Sequence, residues 1–172
     1  EKYQLKHTLK ELLISKNFTE ISIATGYWDL PGMVDIFDEL SSFLSRDGSS
    51  FRLLLGEEPT VRAYQVKKPQ QIDPDFPEKY LKRDLENLQL KEEFQKVATL
   101  LSEHLKKDEA GNAKVQIKVY KKTFLHAKCY IFGSEEENAL GIIGSSNFTR
   151  QGLSGNLELN SIEDNNATVN YK

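Results

Sequence analysis

The sequence predicts a single α/β domain in which a β-sheet is flanked by helices. Its 172 residues suit one domain and are enough to bury a core. Stripes of leucine and phenylalanine at helical spacing alternate along the chain with short apolar runs at strand spacing. Late in the chain, two such runs are joined by a short polar turn, which indicates a β-hairpin.

The first third of the chain contains two predicted helices and two predicted strands. Leucines at helical spacing predict a first helix that ends near Ser15, and alternating apolar residues predict a strand from Glu20 to Tyr27. Asp29 is typical of a helix start, and an apolar stripe predicts that this second helix runs through Met33 to Leu44. The run from Phe51 to Leu55 is almost entirely apolar, so we expect it to lie centrally in the sheet.

The middle of the chain changes character. The segment from Pro59 to Glu78 is rich in proline and poor in aliphatic residues, which predicts a long loop. Apolar residues at helical spacing then predict a third helix from Leu81 to about Lys107. Alternating residues from Val115 to Val119 predict the next strand.

The most informative stretch runs from Phe124 to Asn160. Aromatic and apolar residues predict a strand from Leu125 to Phe132. Since side chains of a strand alternate between faces, His126, Lys128 and Tyr130 are expected to share one face. The core is expected on the other face, which carries Leu125, Ala127, Cys129 and Ile131.

A second group of polar residues follows the partner strand of this hairpin. Ala139 to Ile143 predicts that strand, and Gly144 ends it and lets the backbone approach a ligand. Ser145 and Asn147 add short hydrogen-bonding groups. Glu158 comes eleven residues after Asn147, and the flanking Leu157 and Leu159 indicate a strand that would point Glu158 toward His126 if it neighbours the His126 strand. A cation, several neutral donors and a nucleophile or acid form a set that suits a tetrahedral oxyanion.

The residues His126-Ala127-Lys128 followed by Gly144-Ser145-Ser146-Asn147 resemble the signature of the phospholipase D superfamily, the HKD family. The signature also has an Asp at the position that Gly133 occupies here. More narrowly, LHAKCYIF, GSSNFTRQGL and NLELN are similar to the HKD domain joined to bacterial superfamily II helicases and to HKD restriction endonucleases. The resemblance implies one phospholipase D-like domain over residues 1–172, with a mixed β-sheet flanked by helices and a single HKD-type motif per chain.

The same resemblance implies a role for each matching residue. His126 would attack phosphorus and form a phosphohistidine. Lys128, Ser145 and Asn147 would bind the non-bridging phosphate oxygens and the charge that develops on them. Glu158 would accept a hydrogen bond from the far nitrogen of the imidazole and fix its tautomer.

This chemistry needs a second histidine to protonate the leaving oxygen, and the chain contains a single His-x-Lys. His7 and His104 lie on predicted helices and are interpreted as structural. We therefore expect a homodimer in which both copies of His126 face one phosphate. The two-histidine chemistry that the resemblance implies needs no metal and no other cofactor. The sequence agrees, since no cluster of His, Cys and carboxylate residues has ligand spacing.

Composition and charge limit the partners. The net charge of −3 argues against nucleic-acid binding by the surface as a whole. Residues 114–132 nevertheless contain five lysines and no acidic residue. These lysines would attract a phosphate backbone or, equally well, lie on a solvated strand edge and discourage its aggregation. The single cysteine fits a reducing cytoplasm, and no apolar run is long enough to span a membrane. The chain begins without Met, and we expect it to be part of a longer protein.

The residues and the resemblance together favour a metal-independent nuclease that cleaves DNA. The resemblance alone implies that the domain is joined to a helicase or restriction protein. One alternative is a non-catalytic module for DNA binding or dimerisation with a degenerate site, which Gly133 keeps open. Another is an enzyme that cleaves phospholipids, although the sequence contains no membrane-seeking helix.

Overall fold

The computed structural model describes residues 4–15, 17–56, 92–134 and 139–164, and these residues form one six-stranded mixed sheet with helices. The strands are β1 (Glu20–Thr25), β2 (Ser50–Gly56), β3 (Val115–Tyr120), β4 (Lys128–Phe132), β5 (Leu140–Gly144) and β6 (Asn160–Glu163). The helices are α1 (Leu5–Ile14), α2 (Leu30–Val34), α3 (Phe37–Leu44) and α4 (Glu92–His104), and a π-helical turn covers Gln151–Gly155.

The sheet has the strand order β3-β2-β1-β4-β5-β6. Strands β1, β2 and β3 are parallel, whereas β4 runs antiparallel to β1 and continues into the antiparallel pairs β4–β5 and β5–β6. The steps from β1 to β2 and from β2 to β3 go in the same direction. Because such crossovers are right-handed, their helices are placed on the same face of the sheet.

The core lies between this face and the helices. Helix α1 contacts α3, and α4 contacts both α2 and α3, so the helices form one layer. The largest fully buried side chains come from the helices, the strands and the segment after β5, and they include Leu9, Met33, Leu40, Phe43, Phe51, Tyr130, Phe132 and Phe148.

The prediction of which face of the His126 strand is buried in the core was wrong. Tyr130 and Phe132 are the buried residues of β4, whereas Cys129 and Ile131 lie on the opposite face. There they line a shallow concavity of about 430 Å³ together with residues of the neighbouring strands. Both sets of β4 side chains are apolar enough for a core, so alternation alone does not identify the face that the helices cover. The strand also begins at Lys128 and not at Leu125.

Most other predicted elements are confirmed within the described residues. The second predicted helix is two helices, α2 and α3, and the Asp29 side chain accepts a hydrogen bond from Gly32 N at 2.7 Å as the cap of α2. Strand β2 is an interior strand, and β4 and β5 form the expected hairpin. The predicted loop at 59–78 and the first part of the third helix lie outside the described residues. The last strand was expected at Leu157 to Leu159, but β6 begins directly after these residues, at Asn160.

Candidate active site

The candidate residues come from separate segments that meet at one edge of the sheet. Because β4 is antiparallel to both β1 and β5, the start of β4 lies beside the ends of β1 and β5. A Cβ atom at Gly26, just after β1, would lie 3.5 Å from both Asn147 Oδ1 and the Cα of His126. The structure therefore brings the histidine segment and the Gly144–Asn147 segment together, as the sequence predicted.

His126 lies in the exposed segment that leads into β4. The segment is fixed to the end of β1, because Gly26 N donates a hydrogen bond of 2.8 Å to the carbonyl oxygen of Ala127. Lys128 Nζ donates to the carbonyl oxygen of His126 at 3.3 Å. No described residue hydrogen-bonds the imidazole ring, so within the described residues both ring nitrogens are open to a ligand.

Lys128 is half-buried and lies close enough to Glu158 for the two charges to interact. Burial lowers the pKa of Lys128 below its usual value, and the carboxylate of Glu158 opposes this effect. The ammonium group is thus partly desolvated, which strengthens its attraction for an anion.

Asn147 is oriented by the backbone that follows β1. Its Oδ1 accepts a hydrogen bond of 3.2 Å from Tyr27 N. Since an amide side chain has one oxygen and one NH₂ group, this contact leaves Nδ2 as the donor that a phosphate oxygen can use.

Thr25 is a site residue that the sequence analysis missed. Its side chain is fully buried, and its hydroxyl accepts a hydrogen bond of 3.0 Å from Phe148 N and donates one of 2.7 Å to the carbonyl oxygen of Tyr27. The hydroxyl also lies 3.5 Å from Asn147 Oδ1. Thr25 therefore joins the end of β1 to the segment that carries Asn147. A threonine on the apolar face of a predicted strand was the only sequence signal for it.

Glu158 and Ser145 contact each other directly. The hydroxyl of Ser145 donates a short hydrogen bond to the Glu158 carboxylate, which also accepts one of 3.1 Å from Asn156 Nδ2. Leu159 N donates to Ser145 Oγ at 3.0 Å. The Glu158 carboxylate makes these contacts and no hydrogen bond to the His126 ring. A contact of Glu158 with that ring during the reaction, and the contact of Ser145 with phosphate, remain predictions.

The segment after β5 is held on the sheet by hydrogen bonds to Ser146. Tyr130 donates its hydroxyl proton to the carbonyl oxygen of Ser146 at 2.9 Å, and Asn160 Nδ2 donates to Ser146 Oγ at 2.8 Å. Burial, with smaller effects of Glu158 and Cys129, raises the pKa of Tyr130, so this hydroxyl stays protonated and able to donate. Gly144 allows the backbone around Leu159 to pack closely against the end of β5, because a Cβ atom at position 144 would lie 2.2 Å from the carbonyl oxygen of Leu159.

Gly133, which replaces the Asp of the HKD signature, lies away from this edge. It follows the far end of β4, five residues or roughly 16 Å from Lys128 at strand spacing. Its φ of 90° is in the region that favours glycine, and its N–H donates to the carbonyl oxygen of Glu20 at 2.8 Å. The departure from the signature therefore affects a turn and not the group of polar side chains around His126.

The described ranges contain neither a cluster of metal ligands nor a helix that could span a membrane. There, no group of three or more His, Cys, Asp or Glu side chains is arranged to hold a metal ion. None of the helices in those ranges has the length and apolar character needed to cross a membrane.

The family profile described as "Cardiolipin synthase, PLD-like domain" matches residues 10–171. The chain belongs to this PLD-like family. Membership supports a phosphodiester hydrolase in general terms and confirms the resemblance found in the sequence. No curated protein matches the chain.

Solved structures share the PLD-like fold at low sequence identity. NucT from Helicobacter pylori is 13% identical with a TM-score of 0.51, and the match covers 98% of this chain and 84% of that one. Nuc from Salmonella typhimurium, a phospholipase D family member, is 16% identical with a TM-score of 0.53, and the match covers 96% and 80%. Polyphosphate kinase from Porphyromonas gingivalis is 11% identical with a TM-score of 0.51, and the match covers 95% of this chain but only 22% of the kinase.

Proposed function

We propose that this PLD-like domain is a nuclease that cleaves phosphodiester bonds of DNA through a phosphohistidine on His126. The observation that carries the proposal is the convergence of His126, Lys128 and Asn147 at one edge of the sheet, with Ser145 and Glu158 beside them. The histidine is exposed, the lysine is partly desolvated and the amide is fixed by the backbone. These are the properties needed for a nucleophile and for groups that bind a phosphate.

The proposed reaction has two displacements at phosphorus. An unprotonated ring nitrogen of His126 attacks phosphorus, the P–N bond forms, and the P–O bond to the leaving group breaks. Lys128 and Asn147 Nδ2 stabilise the charge on the non-bridging oxygens. A second histidine gives its proton to the leaving oxygen, then takes a proton from water as the water oxygen attacks phosphorus and the P–N bond breaks.

The second histidine is proposed to be His126 of an identical subunit. His7 lies on α1 and His104 at the end of α4, so neither belongs to the segments that form the site. A two-fold axis near the exposed His126 segment would place two copies of the ring on opposite sides of one phosphate. The reaction as written needs no metal ion.

We further propose that the domain acts on DNA as part of a larger cytoplasmic protein, with a helicase or restriction protein as its expected context. The similarity of LHAKCYIF, GSSNFTRQGL and NLELN to such HKD domains supports this context. The lysines before His126, namely Lys118, Lys121 and Lys122, would attract the DNA backbone.

The decisive experiment is cleavage of plasmid and single-stranded DNA in excess EDTA. We expect wild-type protein to cleave and His126→Ala to lose activity by at least roughly a thousandfold, as for other catalytic nucleophiles. His7→Ala is the matched control, because His7 is an exposed histidine on α1, and it should cleave like wild type. Sedimentation of the active protein should give a dimer.

Other outcomes would contradict specific parts of the proposal. Cleavage that EDTA abolishes would refute the metal-free reaction, and an active monomer would refute the shared site. Binding of DNA without cleavage by any variant would favour the non-catalytic module. Release of a phospholipid head group without cleavage of DNA would favour the lipid-cleaving enzyme.

A further inference from the structure

A run of aromatic rings leads away from His126 along the surface. The rings of Phe124 and His126 have centroids 5.5 Å apart with an interplanar angle of 34°, and those of Tyr27 and Phe124 are 5.8 Å apart at 54°. Phe124 is 43% exposed, and Tyr27 is half-buried. Neither ring is part of the hydrophobic core of the described residues. The two rings therefore form an apolar surface directly beside the proposed nucleophile.

Hydrogen bonds and close packing hold the backbone of the two segments that carry the rings. Tyr27 N is bonded to Asn147 Oδ1, and Gly26 N is bonded to the carbonyl oxygen of Ala127. The backbone of Leu125, between Phe124 and His126, packs so closely on Gly56 that a Cβ there would lie 2.4 Å from its carbonyl oxygen. The backbone that carries the two rings is thus joined to the segment that carries Asn147 before any ligand binds, which lowers the entropic cost of bringing the two segments together.

The chemistry of this pair of sites suits a flat ring linked to a phosphate. Nucleobases stack on aromatic side chains with little dependence on sequence, because every base has a π-face. In a duplex, both faces of a base are already covered by its neighbours, and turning the base out of the stack costs free energy. A phospholipid head group has no flat ring to stack. An exposed aromatic surface beside a phosphate site therefore favours an unpaired nucleotide.

We propose that Tyr27 and Phe124 form a stacking site for an unpaired nucleobase next to the phosphate bound at His126, so that single-stranded nucleic acid is the preferred substrate. This inference rests on the proposed nuclease function. It adds a binding site for the base and a choice between paired and unpaired strands.

The test compares three substrates of equal length in EDTA: a single-stranded oligonucleotide, its duplex, and a strand of abasic units with the same phosphodiester backbone. Wild type should cleave the natural single strand with the highest kcat/KM. Phe124→Leu keeps an apolar side chain but removes the flat face, and should lower kcat/KM for the natural strand by roughly fivefold to a hundredfold. Its kcat/KM for the abasic strand should fall clearly less, because that strand has no base to stack on the ring. Leu105→Ala is the control, because Leu105 is 42% exposed just after α4, and it should behave like wild type.

Several results would overturn the stacking site while leaving the nuclease in place. These are equal cleavage of natural and abasic strands by wild type, equal cleavage of duplex and single strand, or an equal loss on both strands in Phe124→Leu. Loss of the dimer in Phe124→Leu, measured by sedimentation, would assign the ring to a subunit contact instead.

Binding of the same strands, measured by fluorescence anisotropy, separates the two proposals. If wild type cleaves nothing but binds the natural strand more tightly than the abasic strand, and Phe124→Leu removes the difference, the stacking site stands and the reaction fails. If wild type neither cleaves nor distinguishes the strands, both proposals fail.

Discussion

Replacing Thr25 by valine removes one hydroxyl from the base of the segment that carries Asn147. The shape of the side chain is nearly kept, but Phe148 N loses its acceptor and the carbonyl oxygen of Tyr27 loses a donor. Thr25 and Phe148 are both fully buried, so water cannot replace the lost contact to the Phe148 N–H. A buried polar group without a partner costs about 1–3 kcal/mol, and we expect Thr25→Val to lower the free energy of unfolding by about 2–4 kcal/mol.

Urea denaturation followed by circular dichroism measures this loss. At the slope usual for a small domain, the midpoint should fall by about 1–2 M urea while the slope stays constant. Thr25→Ser keeps the hydroxyl and should lose only about 1 kcal/mol for the missing methyl group. Thr99→Val replaces an exposed threonine of α4 and should stay within about 0.5 kcal/mol of wild type. If Thr25→Val were as stable as Thr25→Ser, the hydroxyl would not hold the segment, and the role given to Thr25 would be wrong.

Three other substitutions probe the same edge of the sheet. Gly56→Ala should displace the segment that contains Leu125, because its Cβ would lie 2.4 Å from the Leu125 carbonyl oxygen. We expect the free energy of unfolding in urea to fall by about 1–3 kcal/mol. An unchanged urea midpoint would contradict this packing. Glu158→Gln removes the negative charge that raises the pKa of Lys128. The alkaline limb of the cleavage–pH profile should therefore move to lower pH. An unmoved limb would show that the two charges do not interact in the active protein. Tyr130→Phe leaves a buried carbonyl oxygen without its donor and should cost about 1–3 kcal/mol in thermal or urea unfolding, and a stability equal to wild type would refute the buried contact.

Patterns of residues close in sequence predicted much of the fold. Helical and strand spacing identified the ends of α1 and β1 to within about two residues, and Ser145 and Asn147 lie just after the end of β5, as expected. The covered face of β4 was not predictable in this way, because Tyr130 and Cys129 lie on opposite faces and both are compatible with burial. The choice depends on strand order, since the two parallel crossovers place their helices on one face.

Contacts between distant segments account for what the sequence analysis missed. Thr25 and Phe148 are 123 residues apart, and neither residue alone indicates that they bond. Strand β6 is short and at the edge of the sheet, and its sequence, Asn-Ser-Ile-Glu, lacks the apolar–polar alternation that marks a half-buried strand. The alternation of Leu157, Glu158 and Leu159 therefore predicted the strand at the wrong residues. The contact between Ser145 and Glu158 forms because the chain turns back after Asn147 and the segment around Leu159 lies beside Ser145. Local sequence patterns do not predict this return.

The main-chain hydrogen bonds around the site affect how far the sequence of this domain can change while the fold is kept. The bonds from Gly26 N to the Ala127 carbonyl and from Ser145 N to the Leu159 carbonyl use groups that every residue other than proline carries. Most neighbouring side chains can therefore be exchanged without moving the reactive groups, whereas a side chain at Gly56 or Gly144 would push two backbones apart. A site assembled in this way can survive extensive sequence drift, which fits a shared fold at 11–16% identity.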